Sequence, residues 1–186
     1  MATTRERLLG VASDLVRQHG VAGTGLTALL AASGTARGSI YQHFPEGKDQ
    51  LIEAATDVAA QVMRTGTWSS APGAGPADLV HQVVDRARQT LTDEGFSRGC
   101  PVVAAAVAGA EHARVVDAAG RAFGTWAEDL AAALVAAGVP ESSAASFASV
   151  LISAVEGAIV QSRAQRSVAP LDAVGLHLGR LAESLR

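Results

Sequence analysis

The sequence predicts an all-α fold: a short N-terminal three-helix unit followed by a longer helical bundle. Three observations predict it. Apolar residues recur at steps of three and four along almost the whole chain, as on one face of a helix. Runs of alternating β-branched residues are missing. Aromatic residues are only 4% while hydrophobic residues reach 48%, so Ala and Leu carry the burial, and these pack closely between helices. With 18% charged residues, the 186-residue chain reads as globular, with enough length for one or two domains.

Element by element, Thr4 to His19 reads as the first helix, with Leu8, Leu9, Ala12, Leu15 and Val16 in step and Gly20 as its stop. Thr24 is placed to cap a second helix carrying Leu26, Leu29 and Leu30, which ends at Ser33-Gly34. A third helix runs from about Thr35 to His43. Pro45 and Gly47 punctuate. Lys48 then opens a fourth helix marked by Leu51, Ile52, Ala55, Val58, Ala59, Val62 and Met63. Residues 65–77, rich in Gly, Ser, Thr and Pro, read as a mobile connection with Trp68 as an anchor.

Leu79, Val80, Val83, Val84, Ala87 and Leu91 trace the next helix, and a break follows from Gly95 to Pro101. Residues 101–110 read as a small-residue helix. Phe123, Trp126, Leu130, Leu134 and Ala137 mark another, closed by Gly138 and Pro140. A long helix spans about Glu141 to Arg166, and Leu171, Val174, Leu178, Leu181 and Leu185 trace the last. Their steps of three and four make a narrow seam suited to pairing with other helices. The expected boundary falls between residues 1–48 and 49–186, with the fourth helix connecting the two.

Charge and cysteine content narrow the function. Residues 1–44 hold four cations against two acids, whereas eleven face sixteen from residue 45 onward. The net charge of −3 argues against a protein that coats nucleic acid, but a local basic excess suits a specific binder. One cysteine, Cys100, allows no internal disulfide and no Cys-based zinc site. No signal-peptide core is visible, and no apolar run reaches about 18 residues, so the expectation is a cytoplasmic protein with no membrane partner.

Residues 24–48 carry the chemistry. Two short helical patterns flank Gly34, and the second is slim on its outer side and rich in polar groups. That is the form of a helix-turn-helix whose second helix enters a DNA major groove about 12 Å wide. Gly38 and Ser39 permit close approach. Arg37 matches guanine O6 and N7 bidentately, or a phosphate. Gln42 suits a base edge, whereas Tyr41 and His43 suit phosphates at the groove edge. Thr27, near the start of the second helix, and Lys48 add phosphate contacts. Ile40 and Phe44, four apart, face inward. The same residues would also serve as an ordinary helix stop and solvated charges, because helix-turn-helix shapes recur in many folds.

The run Ala31-Ala32-Ser33-Gly34-Thr35-Ala36-Arg37-Gly38-Ser39-Ile40-Tyr41-Gln42-His43-Phe44-Pro45-Glu46-Gly47-Lys48 resembles the N-terminal domain of TetR-type transcriptional regulators, over roughly residues 4–52. Arg98-Gly99-Cys100-Pro101 with the small-residue helix after it is similar to the LmrA/YxaF-like branch. The resemblance implies a homodimer on a palindromic double-stranded DNA operator, released by a small-molecule effector, with no cofactor. It also carries Thr27, Arg37, Gly38, Ser39, Tyr41, Gln42, His43 and Lys48 over as DNA contacts. Ala36 and Gly25 depart from the family's usual hydroxyl residues, which moves capping of the third helix to Thr35 and leaves Thr24 or Thr27 to meet the phosphate.

For the effector pocket, Phe96, Cys100, Val103, Val107, Phe123, Trp126, Leu130, Phe147 and Leu151 are the apolar candidates; each also reads as plain core. Trp126 stands out for its large face and N–H. The expected dimer face is Val150, Ala154, Gly157, Ala158, Leu171, Val174, Leu178 and Leu181, on the last two helices. His81, His112 and His177 read as surface residues. A helical enzyme and a helical interaction module without DNA binding are the alternatives. No HExxH, GxSxG or GxxxxGK[ST] pattern occurs, so no catalytic or metal residue is assigned.

Overall fold

A computed structural model describes residues 2–67 and 74–186, all of whose regular structure is helical. Chain order is α1 (Thr4–Gly23), α2 (Leu26–Ser33), α3 (Arg37–His43), α4 (Lys48–Thr67), α5 (Pro76–Asp93), α6 (Pro101–Ala106), α7 (Ala113–Ala136), α8 (Glu141–Gln165) and α9 (Ala169–Ser184). A 3-10 turn, η1, spans Ala110–His112 between α6 and α7. Of the connection expected over 65–77, residues 65–67 end α4 and 76–77 open α5, while Trp68 lies outside the described residues.

The chain divides into two compact units, but not at residue 48. The first comprises Met1–Val62 and Cys100–Phe123, and the second Met63–Gly99 and Gly124–Arg186. Residues 100–123 therefore return to the helix-turn-helix, and α4 and α7 each contribute to both units.

In the first unit, Leu8, Leu9 and Ala12 of α1, Leu29 of α2, Ile40 and Phe44 around α3, and Leu51 and Ala55 of α4 form one buried cluster. α1 opens with a capping box: Thr3 Oγ1 accepts from the Glu6 N–H, and the Glu6 carboxylate accepts from the Thr3 N–H. The bond from the Thr3 N–H, and then the Thr3 hydroxyl, hold the Glu6 carboxyl below its ordinary range. α1 breaks at Gly20 (φ 73°), the expected stop, and a last turn carries it to Gly23. Thr24 does not cap α2. Its buried hydroxyl donates to the Gly20 carbonyl at 2.7 Å, so it closes the break in α1 instead. Gly25 is the N-cap of α2 and supplies no side-chain bond.

Glu46, in the turn before α4, and Asp49, Glu53 and Asp57 along it follow one another at steps of three and four. His112, the last residue of η1, and residues of α7 lie across them. His112 Nδ1 is 2.9 Å from Asp49 Oδ2. Arg114 reaches Glu46 at 2.7 Å and Glu53 at 3.0 Å, and Arg121 reaches Glu53 at 3.3 Å and Asp57 at 3.5 Å. His112, expected on the surface, has a side chain only 12% exposed. The helix expected over 101–110 stops at Ala106. The Glu111 carboxylate folds back over Gly109, where a Cβ would collide with it, and the chain turns into η1.

The second unit is built on α5, α8 and α9 with the C-terminal part of α7. Leu79, Val80, Val83 and Val84 of α5 join Leu130 and Leu134 of α7, Leu151 and Val155 of α8, and Leu171 of α9 in its core. Gly175 and Gly179 let α9 approach α5 closely. A Cβ on Gly179 would stand 2.9 Å from the His81 ring, and one on Gly175 would stand 3.4 Å from Val84. By length and composition α8 is long and apolar enough to cross a membrane, contrary to the sequence expectation. Its apolar face is occupied by the core of this unit, through Phe147, Leu151, Val155 and Ile159.

The seam of α9 corrects the expected dimer face. Leu171 is fully buried and Ala158 is 3% exposed, while Val174 and Leu178 pack on the same core. Leu171 and Ala158 are spent inside the unit and Val174 and Leu178 partly so, because a stripe at steps of three and four serves a chain's own core as readily as a partner's. The outward faces instead carry Val150, Gly157 and Val160 on α8, and Leu176 and Leu181 on α9, with Ala154 half-buried.

Candidate nucleic-acid interface

The turn between α2 and α3 is set by Gly34, whose left-handed φ of 62° ends α2 and returns its N–H to the Leu30 carbonyl. Ser33 and Thr35 share a hydrogen bond of 2.8 Å between their hydroxyls across this turn. Thr35 is thereby engaged and does not cap α3. The N-cap is Ala36, with no side-chain bond, as the missing hydroxyl there requires.

α3 has one buried and one open side. Ile40 is fully buried and Phe44 is 2% exposed, which pins the helix to α1, α2 and α4. Arg37, Gly38, Tyr41 and Gln42 are exposed, and Ser39 and His43 are half-buried at the margins. The open side is therefore the polar one, with a glycine in its first turn. Nothing lies within 4 Å of where a Gly38 Cβ would be, so the protein's own packing does not demand the missing side chain. Its effect is to leave the outer surface slim.

Tyr41 is held in place although 48% exposed. Its ring packs on buried Gly47, 3.6 Å from where a Cβ would stand, and φ at Gly47 is 84°. Gly47 thus combines a left-handed turn with a seat for the tyrosine, leaving the phenol outward. Lys48, half-buried, starts α4 immediately after. Thr27 is exposed in the first turn of α2, where the absence of a capping side chain leaves backbone N–H groups available.

The cations of this face are not neutralised from within. Among the described residues Arg37 and Lys48 make no ion pair, and the Arg5 guanidinium lies over the Phe44 ring, 5.5 Å from its centre. Arg114, in contrast, is held fully protonated by its hydrogen bond to Glu46, which raises its pKa further. Arg5 escaped the sequence reading: its proximity to Phe44 joins residues 39 apart and has no local signature.

The apolar pocket candidates fall into both units. Cys100, Val103, Val107 and Phe123 belong to the first, and Phe96, Trp126, Leu130, Phe147 and Leu151 to the second. Val107 is a correction: it caps the C-terminus of α6 and is 77% exposed, which suits no enclosed lining. Leu130, Phe147 and Leu151 are core members, and Phe96 packs against them at a left-handed φ of 59°. Cys100 is buried at the N-cap of α6. Among the described residues no group of three potential metal ligands occurs.

Residues 8–55 match the profile of bacterial regulatory proteins of the tetR family, and residues 76–177 match the C-terminal domain of LmrA/YxaF-like transcriptional regulators. An HTH-type transcriptional regulator from Mycobacterium tuberculosis is 34% identical, with 97% of this chain and 95% of that protein aligned. LmrA of Bacillus subtilis, also an HTH-type regulator, is 28% identical over 90% of each chain. Among solved structures, a TetR regulator from Legionella pneumophila superimposes with a TM-score of 0.84 at 22% identity, covering 97% of this chain and 98% of that one. One from Chloroflexus aurantiacus gives 0.75 at 28% identity, covering 95% and 92%.

Proposed function

This chain belongs to the TetR family of bacterial transcriptional regulators, and from that premise we propose that it is a homodimeric repressor released from a palindromic operator by a small apolar effector. The observation that carries the DNA half is the two-sided α3: Ile40 and Phe44 anchor it, while Arg37, Gly38, Tyr41 and Gln42 remain open. Arg37 and Gln42 read base edges; Thr27, Ser39, Tyr41, His43 and Lys48 hold phosphates; Gly38 clears the approach. One face reads one half-site. A twin subunit supplies the second, about 34–36 Å away on the duplex.

For the dimer, Val150, Gly157 and Val160 of α8 and Leu176 and Leu181 of α9 offer apolar or small surface without charge. Small residues such as Gly157 permit close helix approach. For the effector, the second unit offers Phe96, Trp126, Leu130, Phe147 and Leu151, with the broad indole of Trp126 as the largest apolar face. The regulator acts in the cytoplasm, where its operator lies.

The test is selection of duplexes from a random pool by the full chain, followed by footprinting and sedimentation. Two inverted half-sites one turn apart, bound by two chains, are expected. A single half-site bound by one chain would overturn the dimeric reading.

A further inference from the structure

The acidic stripe of α4 lies next to the residues that meet DNA. Glu46 precedes Lys48 by two residues. At about 1.5 Å per residue, Asp49 and Glu53 lie within about 8 Å of Lys48 along the helix axis. The Debye length at physiological salt is about 8 Å, so these three carboxylates act on any phosphate that Lys48 holds unless something counters them. Arg114 and Arg121 do so. Arg114 bridges Glu46 and Glu53, and Arg121 bridges Glu53 and Asp57, each within 3.5 Å.

Neither arginine belongs to the helix-turn-helix, and neither is among the DNA contacts proposed above. Both come from the segment Cys100–Phe123, which packs in the first unit although it lies far along the chain. Even with both in place the stripe keeps more acid than base. Its residual field is therefore set by how completely this segment covers it.

We propose that Arg114 and Arg121 are positioning residues for DNA binding that work through charge: they mask the α4 stripe and so keep its carboxylates from repelling the bound duplex. The inference rests on the DNA-binding reading above and adds an electrostatic condition for it. A purely mechanical role, holding α4 in place, makes a different prediction, because it needs both partners of each pair. Charge masking needs only the balance.

The experiment uses the full chain and a duplex that the wild type has itself enriched from a random pool. Arg114→Gln with Arg121→Gln is expected to weaken binding roughly fivefold at low salt, and the loss shrinks as salt rises. Glu46→Gln with Glu53→Gln breaks three of the same ion pairs, yet is expected to tighten binding severalfold, because two negative charges are lost while Arg114 and Arg121 remain. The fourfold variant returns towards wild type. Weaker binding in the Glu→Gln variant, or no change in the Arg→Gln variant, overturns masking. Should the Arg→Gln variant lose its thermal transition, the sign of the Glu→Gln effect still decides. A wild-type chain that enriches no sequence at all overturns the DNA reading itself, which is a separate result.

Discussion

The first unit treats its cations in two ways. Around α3, Arg37 and Lys48 have no carboxylate partner among the described residues, and Arg5 has only the Phe44 ring. Along α4, His112, Arg114 and Arg121 are each engaged by at least one carboxylate. A cation with an internal partner contributes to the fold, modestly when exposed. A cation without one adds no ion pair to the fold and stays available to an outside anion. The two sets sit on one compact body whose acids outnumber its bases along α4, so availability reflects placement and not a general excess of positive charge. A protein of net charge −3 can thus carry a face for a polyanion.

The largest effect expected on this comparison removes both surfaces at once. Phe44 is buried beneath α3 and ends it, so Phe44→Ala should cost about 3–5 kcal/mol in the first unit. Chemical denaturation should show an early transition with loss of DNA binding; an unchanged midpoint would mean that α3 is not anchored there. Gly34→Ala forces a side chain into φ 62°, at a cost of about 1–2 kcal/mol. It should weaken DNA binding through the turn while leaving the ion pairs of α4 intact, which an amide-exchange comparison of α3 with α4 would separate. Tyr41→Phe removes one phenol bond and should weaken all duplexes alike by about 1 kcal/mol. A changed sequence preference would instead place Tyr41 on a base.

The smallest effect is on pH. The Glu6 carboxyl is lowered by its bonds to the Thr3 backbone and hydroxyl. Its contribution is complete above the free-carboxylate value of 4.5 and is lost as pH falls through the lowered folded value. Helicity at the start of α1 should therefore decline only in acid, and Glu6→Gln should flatten that decline.

What was legible in the sequence follows the range of the interaction. The two-sided α3 was readable because Ile40 and Phe44 stand four apart and Gly34 stops the helix before them, all local signals. The capping of α2 and α3 departs from the sequence expectation because a threonine beside a helix start can bond backward, as Thr24 does to Gly20, or sideways, as Thr35 does to Ser33. The return of residues 100–123 to the first unit was invisible. It rests in part on ion pairs such as His112–Asp49, 63 residues apart, which leave no periodic trace. The seam of α9 was visible as a pattern, but periodicity does not say whose core it fills. Leu171 and Val174 turned out to face their own chain, and Leu176 and Leu181 face outward.

The most direct measurement compares wild type with Arg37→Ala on the selected duplex and on a scrambled one of equal length, at one salt concentration. Losing a bidentate base contact costs about 1–3 kcal/mol of discrimination. The selected duplex should therefore lose affinity about tenfold or more, and the scrambled one far less, with sedimentation and helicity unchanged. An undiminished ratio between the two duplexes would contradict the assignment of the open side of α3 as the surface that reads DNA.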